Sequence, residues 1–291
     1  MTALACAKAP EPLDPAYAAE VDQWRADRLA RLTADDGWLT LTGLYWLEPG
    51  ENRFGSLPDS AVVIPDESVA DVAGLLVLGD DGTVVAFAEE GAGVEVNGEP
   101  LTEKVLATDA SGTPDVITVG RVKFYIIDRE GRLGARVKDP QAPTRLAFAG
   151  IEHFPIDPDF KVEARLEPYD APREVAIPTV LGQDTSMLAP GVLRFEIRGQ
   201  ELTLEPYLEK PDDTSYFLIF RDATSAVTTY GAGRFLSADA AGADGTTTLD
   251  FNLAYNPPCA FTPYATCPLP PPQNWLQLPI EAGEKYSGPA H

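Results

Sequence analysis

RVKFYIIDREGRLGARVK, residues 121–138, decides the fold class. Glu130-Gly131 is a turn signal between two short apolar-rich runs, residues 122–127 and 133–137, which read as the two strands of a hairpin. In the second run the side chains alternate between faces. Leu133, Ala135 and Val137 point into a core, while Arg132, Arg136 and Lys138 share the opposite face, with Gly134 leaving open space between them. Three cations on one strand face repel one another unless an anion or carboxylates intervene. Arginine suits bidentate binding of carboxylate or phosphate. The alternative is a solvated face paired with Asp or Glu.

The same period of two continues outward. On the N-terminal side, residues 38–47, 61–64, 75–78, 84–88, 94–96 and 116–119 read as strands, separated by Pro49-Gly50, Asp80-Asp81-Gly82 and Asn97-Gly98. Short strands with regular turns predict a β-sandwich over residues 37–150. Ahead of it, residues 16–32 carry Val21, Trp24, Leu29 and Leu32 on approximately one helical face, with Pro15 at the start and Gly37 beyond the end. On the C-terminal side, residues 150–180 read as turn-rich, with Pro155, Pro158, Pro168, Pro172 and Pro178. Strands resume at 192–197, 202–206, 216–220, 227–230 and 246–255, with Gly199-Gln200 as a hairpin turn, and residues 256–286 are irregular and rich in proline. The expected fold is all-β with one N-terminal helix: a sandwich followed by a second antiparallel part, itself a sandwich or partial barrel. The expected divisions are 1–15 (a tether), 16–36 (the helix), 37–150 and 151–291.

Composition bounds the function. The 291-residue chain is 44% hydrophobic, enough for one large core or two smaller ones, and carries a net charge of -23. That charge argues against nucleic acid and anionic lipid as main partners, since both need basic surface. Charge is also uneven. Residues 51–100 hold Arg53 as their one basic residue against eleven acidic ones, whereas residues 121–145 hold seven basic and three acidic residues. Either the basic stretch pairs with the acidic one before it, or it serves an anionic ligand.

At the N-terminus, Met1-Thr2-Ala3-Leu4-Ala5-Cys6 looks like the end of a bacterial lipoprotein signal, and residues 7–15 like a Pro-rich tether. Cys6 is thus a lipidation candidate. The expectation is a periplasmic or cell-envelope lipoprotein that meets the membrane only through that anchor; the alternative is a cytoplasmic protein. Cys259 and Cys267 are the remaining pair, expected to be bonded in an oxidising compartment. Their spacing and the two histidines, His153 and His291, argue against a zinc site.

Two further constellations stand out. Gly231 and Gly233 flank a close approach next to Tyr230 and Arg234, without the Gly-Lys-Ser/Thr of a phosphate loop. In residues 250–256, read as a strand, Asp250, Asn252 and Asn256 face one way and Phe251, Leu253 and Tyr255 the other. Polar groups in so apolar and Pro-rich a setting need partners, either in a ligand or in the irregular backbone that follows.

Two resemblances follow from these stretches. Gly50…Arg53-Phe54-Gly55, Ile64-Pro65-Asp66, Val94-Glu95-Val96-Asn97-Gly98 and Ile117-Thr118-Val119-Gly120 resemble a forkhead-associated (FHA) sandwich in architecture. The serine-arginine-histidine run with which that family binds phosphopeptide is absent. The runs GWLTLTGLYWLEPGENRFG, GRLGARVKDP…FAGIEHFP, FRDATS…TYGAGRF and DFNLAYNPPCAFTPYATCPLPPPQNWL, over roughly residues 37–286, resemble the bacterial and archaeal domain-of-unknown-function family 1684. That resemblance implies no established activity. It implies that Arg136, Lys138, Asp139, Tyr230, Arg234, Asp250, Asn252, Asn256, Cys259 and Cys267 belong to a characteristic surface.

The functional expectation is a protein that binds a small anionic or polar ligand, without a cofactor, in a groove lined by Arg132, Arg136, Lys138, Tyr230, Arg234, Asp250, Asn252 and Asn256. One alternative is a histidine-poor hydrolase with Asp250 as base, Arg234 and Asn252 stabilising charge and Cys259 as nucleophile. Others are a non-catalytic FHA-like interaction module, and a purely structural role for the same residues in pinning the C-terminal segment.

Overall fold

The first helix forms where the apolar spacing predicts it. In the computed structural model, which describes residues 13–288, α1 spans Pro15–Thr33 with proline at its first position, where a missing N–H costs nothing. The chain divides into two compact units. One is Ala30–Ala149 with Phe261–Cys267; the other runs up to Leu29 and continues through Gly150–Ala260 and from Pro268 onward. Cys6 and His291 lie outside the described residues.

The first of these units is built from eleven strands. They are β1 (Leu41–Trp46), β2 (Gly50–Gly55), β3 (Val62–Val63), β4 (Gly74–Leu78), β5 (Val84–Ala88), β6 (Val94–Val96), β7 (Glu99–Pro100), β8 (Glu103–Val105), β9 (Ile117–Val119), β10 (Val122–Arg129) and β11 (Arg132–Lys138). They form a six-stranded sheet, β1-β11-β10-β9-β6-β7, and a five-stranded sheet, β3-β2-β4-β5-β8. Only β2 and β3 run parallel. One inward face of each sheet feeds a common core: Phe54, Leu76 and Ala86 from one, Ile117, Phe124, Ala135 and Val137 from the other, all fully buried. Two sheets closing on one apolar layer make a β-sandwich. Glu130 and Gly131 both take positive φ, 54° and 81°, as a two-residue hairpin turn matched to strand twist requires.

The other unit carries β12 (Lys161–Pro178), β13 (Asp184–Ile197), β14 (Gln200–Leu204), β15 (Ser215–Phe220), β16 (Arg234–Asp239) and β17 (Thr246–Asp250). Its sheets, β14-β13-β12-β17 and the pair β15-β16, are open and antiparallel, and no barrel closes among the described residues. Phe160, Leu193, Leu218, Phe220, Leu236, Phe251 and Ile280 fill its core.

Three expectations are corrected here. Residues 161–178 form a long strand in place of turns; Pro168 and Pro172 fall where the β12–β13 ladder breaks between Pro168 and Arg173, so neither removes a needed donor. Residues 227–230 are a turn and not a strand. The strand expected over 246–255 ends at Asp250, whose side chain accepts from the Asn252 N–H and starts a 3-10 turn over Phe251–Leu253.

Candidate functional site

Register places the cationic side chains. Counting back from the Glu130-Gly131 turn, Arg136 lies opposite Tyr125 and Lys138 opposite Lys123 across β10–β11, with Leu44 of β1 on the far side of Arg136. These residues share the outer face of the six-stranded sheet. Each of the three lies close to an aromatic ring. The Arg132 guanidinium lies 4.2 Å from the Trp46 ring centroid, Arg136 5.3 Å from Trp38, and the Lys138 ammonium 5.4 Å from Tyr125. Lys138 also donates to the Asp36 carbonyl at 2.6 Å. The open space expected at Gly134 does not exist: the Trp46 ring fills it, and a Cβ there would come within 2.8 Å of the indole. Arg136 is only 3% exposed, so it does not line an open surface.

The rest of the basic stretch follows the ion-pair reading. Arg121 bridges Asp66 at 3.0 Å and Asp139 at 2.9 Å, and Arg129 pairs with Asp109 at 2.8 Å. The Ser68 hydroxyl and N–H hold the Asp66 carboxyl below the usual carboxylate range, and Asp139 raises Arg121. Lys123, Arg132, Arg136 and Lys138 make no ion pair among the described residues.

Beside the lysines the sheet face opens into a groove of about 560 Å³. Asp36, Glu95, Asn97, Gly98, Val116, Thr118, Lys123, Tyr125 and Lys138 line it. Of the residues expected to bind a ligand, only Lys138 lines this space. Lys123, Tyr125, Glu95, Asn97, Thr118 and Asp36 were not anticipated, although pairing outward from the turn would have placed Lys123 against Lys138 and flagged the like-charged pair.

Tyr230, Arg234, Asp250, Asn252 and Asn256 lie in the other unit and are held by protein groups around them. Arg234 is fully buried, salt-bridged to Asp222 at 2.9 Å, and donates to the carbonyls of Ile280, Ala282 and Glu284. Burial pushes its guanidinium below the ordinary value and Asp222 pulls it back. Glu284, also fully buried, accepts from Arg28 at 3.2 Å and from the Asn256 N–H at 2.7 Å, while the Asn256 amide donates to the Lys285 carbonyl. Asp250 takes the Tyr17 hydroxyl at 2.9 Å on both oxygens; Asn252 donates to Tyr17 and to the Asp157 carbonyl, and accepts from the Asp157 N–H. Tyr230 donates to the Cys259 carbonyl and packs edge-on against Tyr286. This is a set of internal pins for the C-terminal segment and for α1. His153 is kept neutral: burial and the Arg25 charge lower its pKa to about 4. Cys259 and Cys267 are both buried.

A family model described as a protein of unknown function, DUF1684, matches residues 146–285, starting well after the residue 37 expected from the motifs. An uncharacterised protein of Haloarcula marismortui, solved by NMR, is 35% identical over 48% of this chain and 78% of that chain, with a TM-score of 0.42. An FHA domain from a study of phosphothreonine-dependent interactions is 21% identical over 33% of this chain and 92% of that one, with a TM-score of 0.23. The FhaA FHA domain, crystallised with an intracellular domain of another protein, is 20% identical over 33% and 97%, again with a TM-score of 0.23. No curated protein matches the chain.

Proposed function

Through residues 146–285 the chain belongs to the DUF1684 family of proteins of unknown function, and from that premise we propose that it binds a small, polar, negatively charged ligand in the groove on the outer sheet of its sandwich. The family prescribes no reaction, so the reading rests on the chemistry of the groove. One observation carries it: Lys123 and Lys138 face each other across β10–β11, both line the groove, and neither has a carboxylate partner among the described residues. Like charges directly opposite one another destabilise a sheet, and an anion placed between them removes the repulsion. Tyr125, Asn97 and Thr118 offer hydrogen bonds to hydroxyls. Asp36 and Glu95 in the same lining disfavour a bare polyanion and favour a ligand that also carries donors, such as a hydroxy acid or amino acid. The volume falls in the range of about 300–1,000 Å³ usual for small-molecule sites.

The hydrolase alternative draws no support from the same geometry, because the Asp250 oxygens and Arg234 are already engaged with protein groups. Attachment to the cell envelope through Cys6 remains part of the proposal.

Calorimetric titration with small hydroxy acids, amino acids and sugar phosphates tests the reading. Binding by the wild type should weaken at least ~10-fold in Lys123→Ala and in Lys138→Ala, about 1.4 kcal/mol each. Failure of every probe to bind, or binding indifferent to both substitutions, overturns it.

A further inference from the structure

Arg136 poses a separate problem. A guanidinium buried to 3% exposure needs a carboxylate or a full set of acceptors. It has neither. Among the described residues it makes no ion pair, its Nε has no partner, and its Nη2 donates to a single neutral acceptor, the Thr266 hydroxyl, at 3.2 Å. Arg129 donates its Nε to that same hydroxyl, also at 3.2 Å, while its Nη1 serves Asp109 and the Asp128 carbonyl. One uncharged oxygen therefore receives two cationic donors from neighbouring strands. Both distances exceed the roughly 2.7–2.9 Å of charge-assisted pairs.

We infer that Arg129, Arg136 and Thr266 form a binding subsite for a free tetrahedral oxyanion of the phosphate or sulfate class, with the threonine hydroxyl standing where one oxygen of the anion sits. An oxyanion brings what the site lacks: negative charge for Arg136 and enough lone pairs to accept from both guanidinium groups at once. Thr266 is a replaceable occupant. It is partly exposed and lies in an irregular segment outside any strand, so its side chain can turn aside without breaking a ladder. The Trp38 ring lies 5.3 Å from the Arg136 guanidinium and backs the cation, so an anion bound there changes the surroundings of the indole. This subsite uses none of the side chains that line the lysine groove, so each proposal stands or falls alone.

The test is a titration of the full chain with inorganic phosphate at constant ionic strength, read by tryptophan fluorescence and by thermal shift, with chloride as control. The wild type should respond saturably to phosphate and to sulfate but not to chloride. Thr266→Val, which keeps the bulk and removes the competing hydroxyl, should bind phosphate several-fold tighter. Arg136→Met should lose the response and, in phosphate-free buffer, melt several degrees higher because an uncompensated buried charge has gone. Arg136→Lys, which retains the charge without the planar fork, should bind weakly. Lys123→Ala with Lys138→Ala should leave this response intact. A wild type silent at millimolar phosphate overturns the inference. So does a response that survives in a folded Arg136→Met variant, or one abolished only by the lysine substitutions.

Discussion

Arg234 and Arg136 are both buried cations on β-strands, and they differ in what surrounds them. Arg234 has Asp222 and three carbonyls; Arg136 has a ring and one hydroxyl. Opposite consequences follow. Truncating Arg234 to Ala leaves Asp222 buried and unpaired, which should cost about 3–5 kcal/mol in urea denaturation. Replacing Arg136 with Met should stabilise by about 1 kcal/mol in anion-free buffer, read by the same method. The alternation in residues 132–138 correctly predicts which side chains share a face. It cannot predict that Trp46, from the strand paired on the other side, closes the space over Gly134. Period-two reasoning sees one strand; filling that space is a cross-strand event.

At the scale of elements, turn chemistry was the most legible feature. Asn-Gly at 97–98 and Glu-Gly at 130–131 end strands where they should, both with positive φ at each residue. Residues 250–256 were misread because Asp and Asn compete for backbone N–H groups: Asp250 captures the Asn252 N–H and ends β17. The polarity of this stretch was correctly taken to demand partners, and Tyr17 of α1 supplies one. Burial first, and then the charge of Asp250, raise the tyrosine pKa, so the hydroxyl keeps its proton and donates. Tyr17→Phe should therefore cost about 1–3 kcal/mol and speed amide hydrogen exchange within the first half of α1, while leaving exchange in β10 and β11 unchanged. Unchanged protection in α1 would show that the apolar face of the helix alone holds it.

At the scale of the molecule, stability should depend on pH through His153. Its folded pKa of about 4 lies below the ordinary 6.5, so the unfolded chain binds the extra proton between those values. Its contribution is complete above pH 6.5 and is lost as pH falls toward 4. Glu284, raised by burial, works in the opposite direction, so the effect is isolated by comparing wild type with His153→Leu. The difference should shrink by about 1 kcal/mol across that window, allowing for the partial exposure of the ring. The all-β architecture with its leading helix was readable from spacing and turns. The placement of the expected site residues was not, because it depends on which compact unit each stretch joins. Residues 132–138 belong to one and 230–256 to the other. The central claim concerns the lysine pair on the sandwich, and an amide-resolved NMR titration with a small hydroxy acid tests it most directly. Shifts confined to residues 95–98, 116–118, 123–125 and 138, absent in the Lys123→Ala, Lys138→Ala double variant, are the predicted result. Shifts that cluster elsewhere, or that persist in the double variant, contradict it.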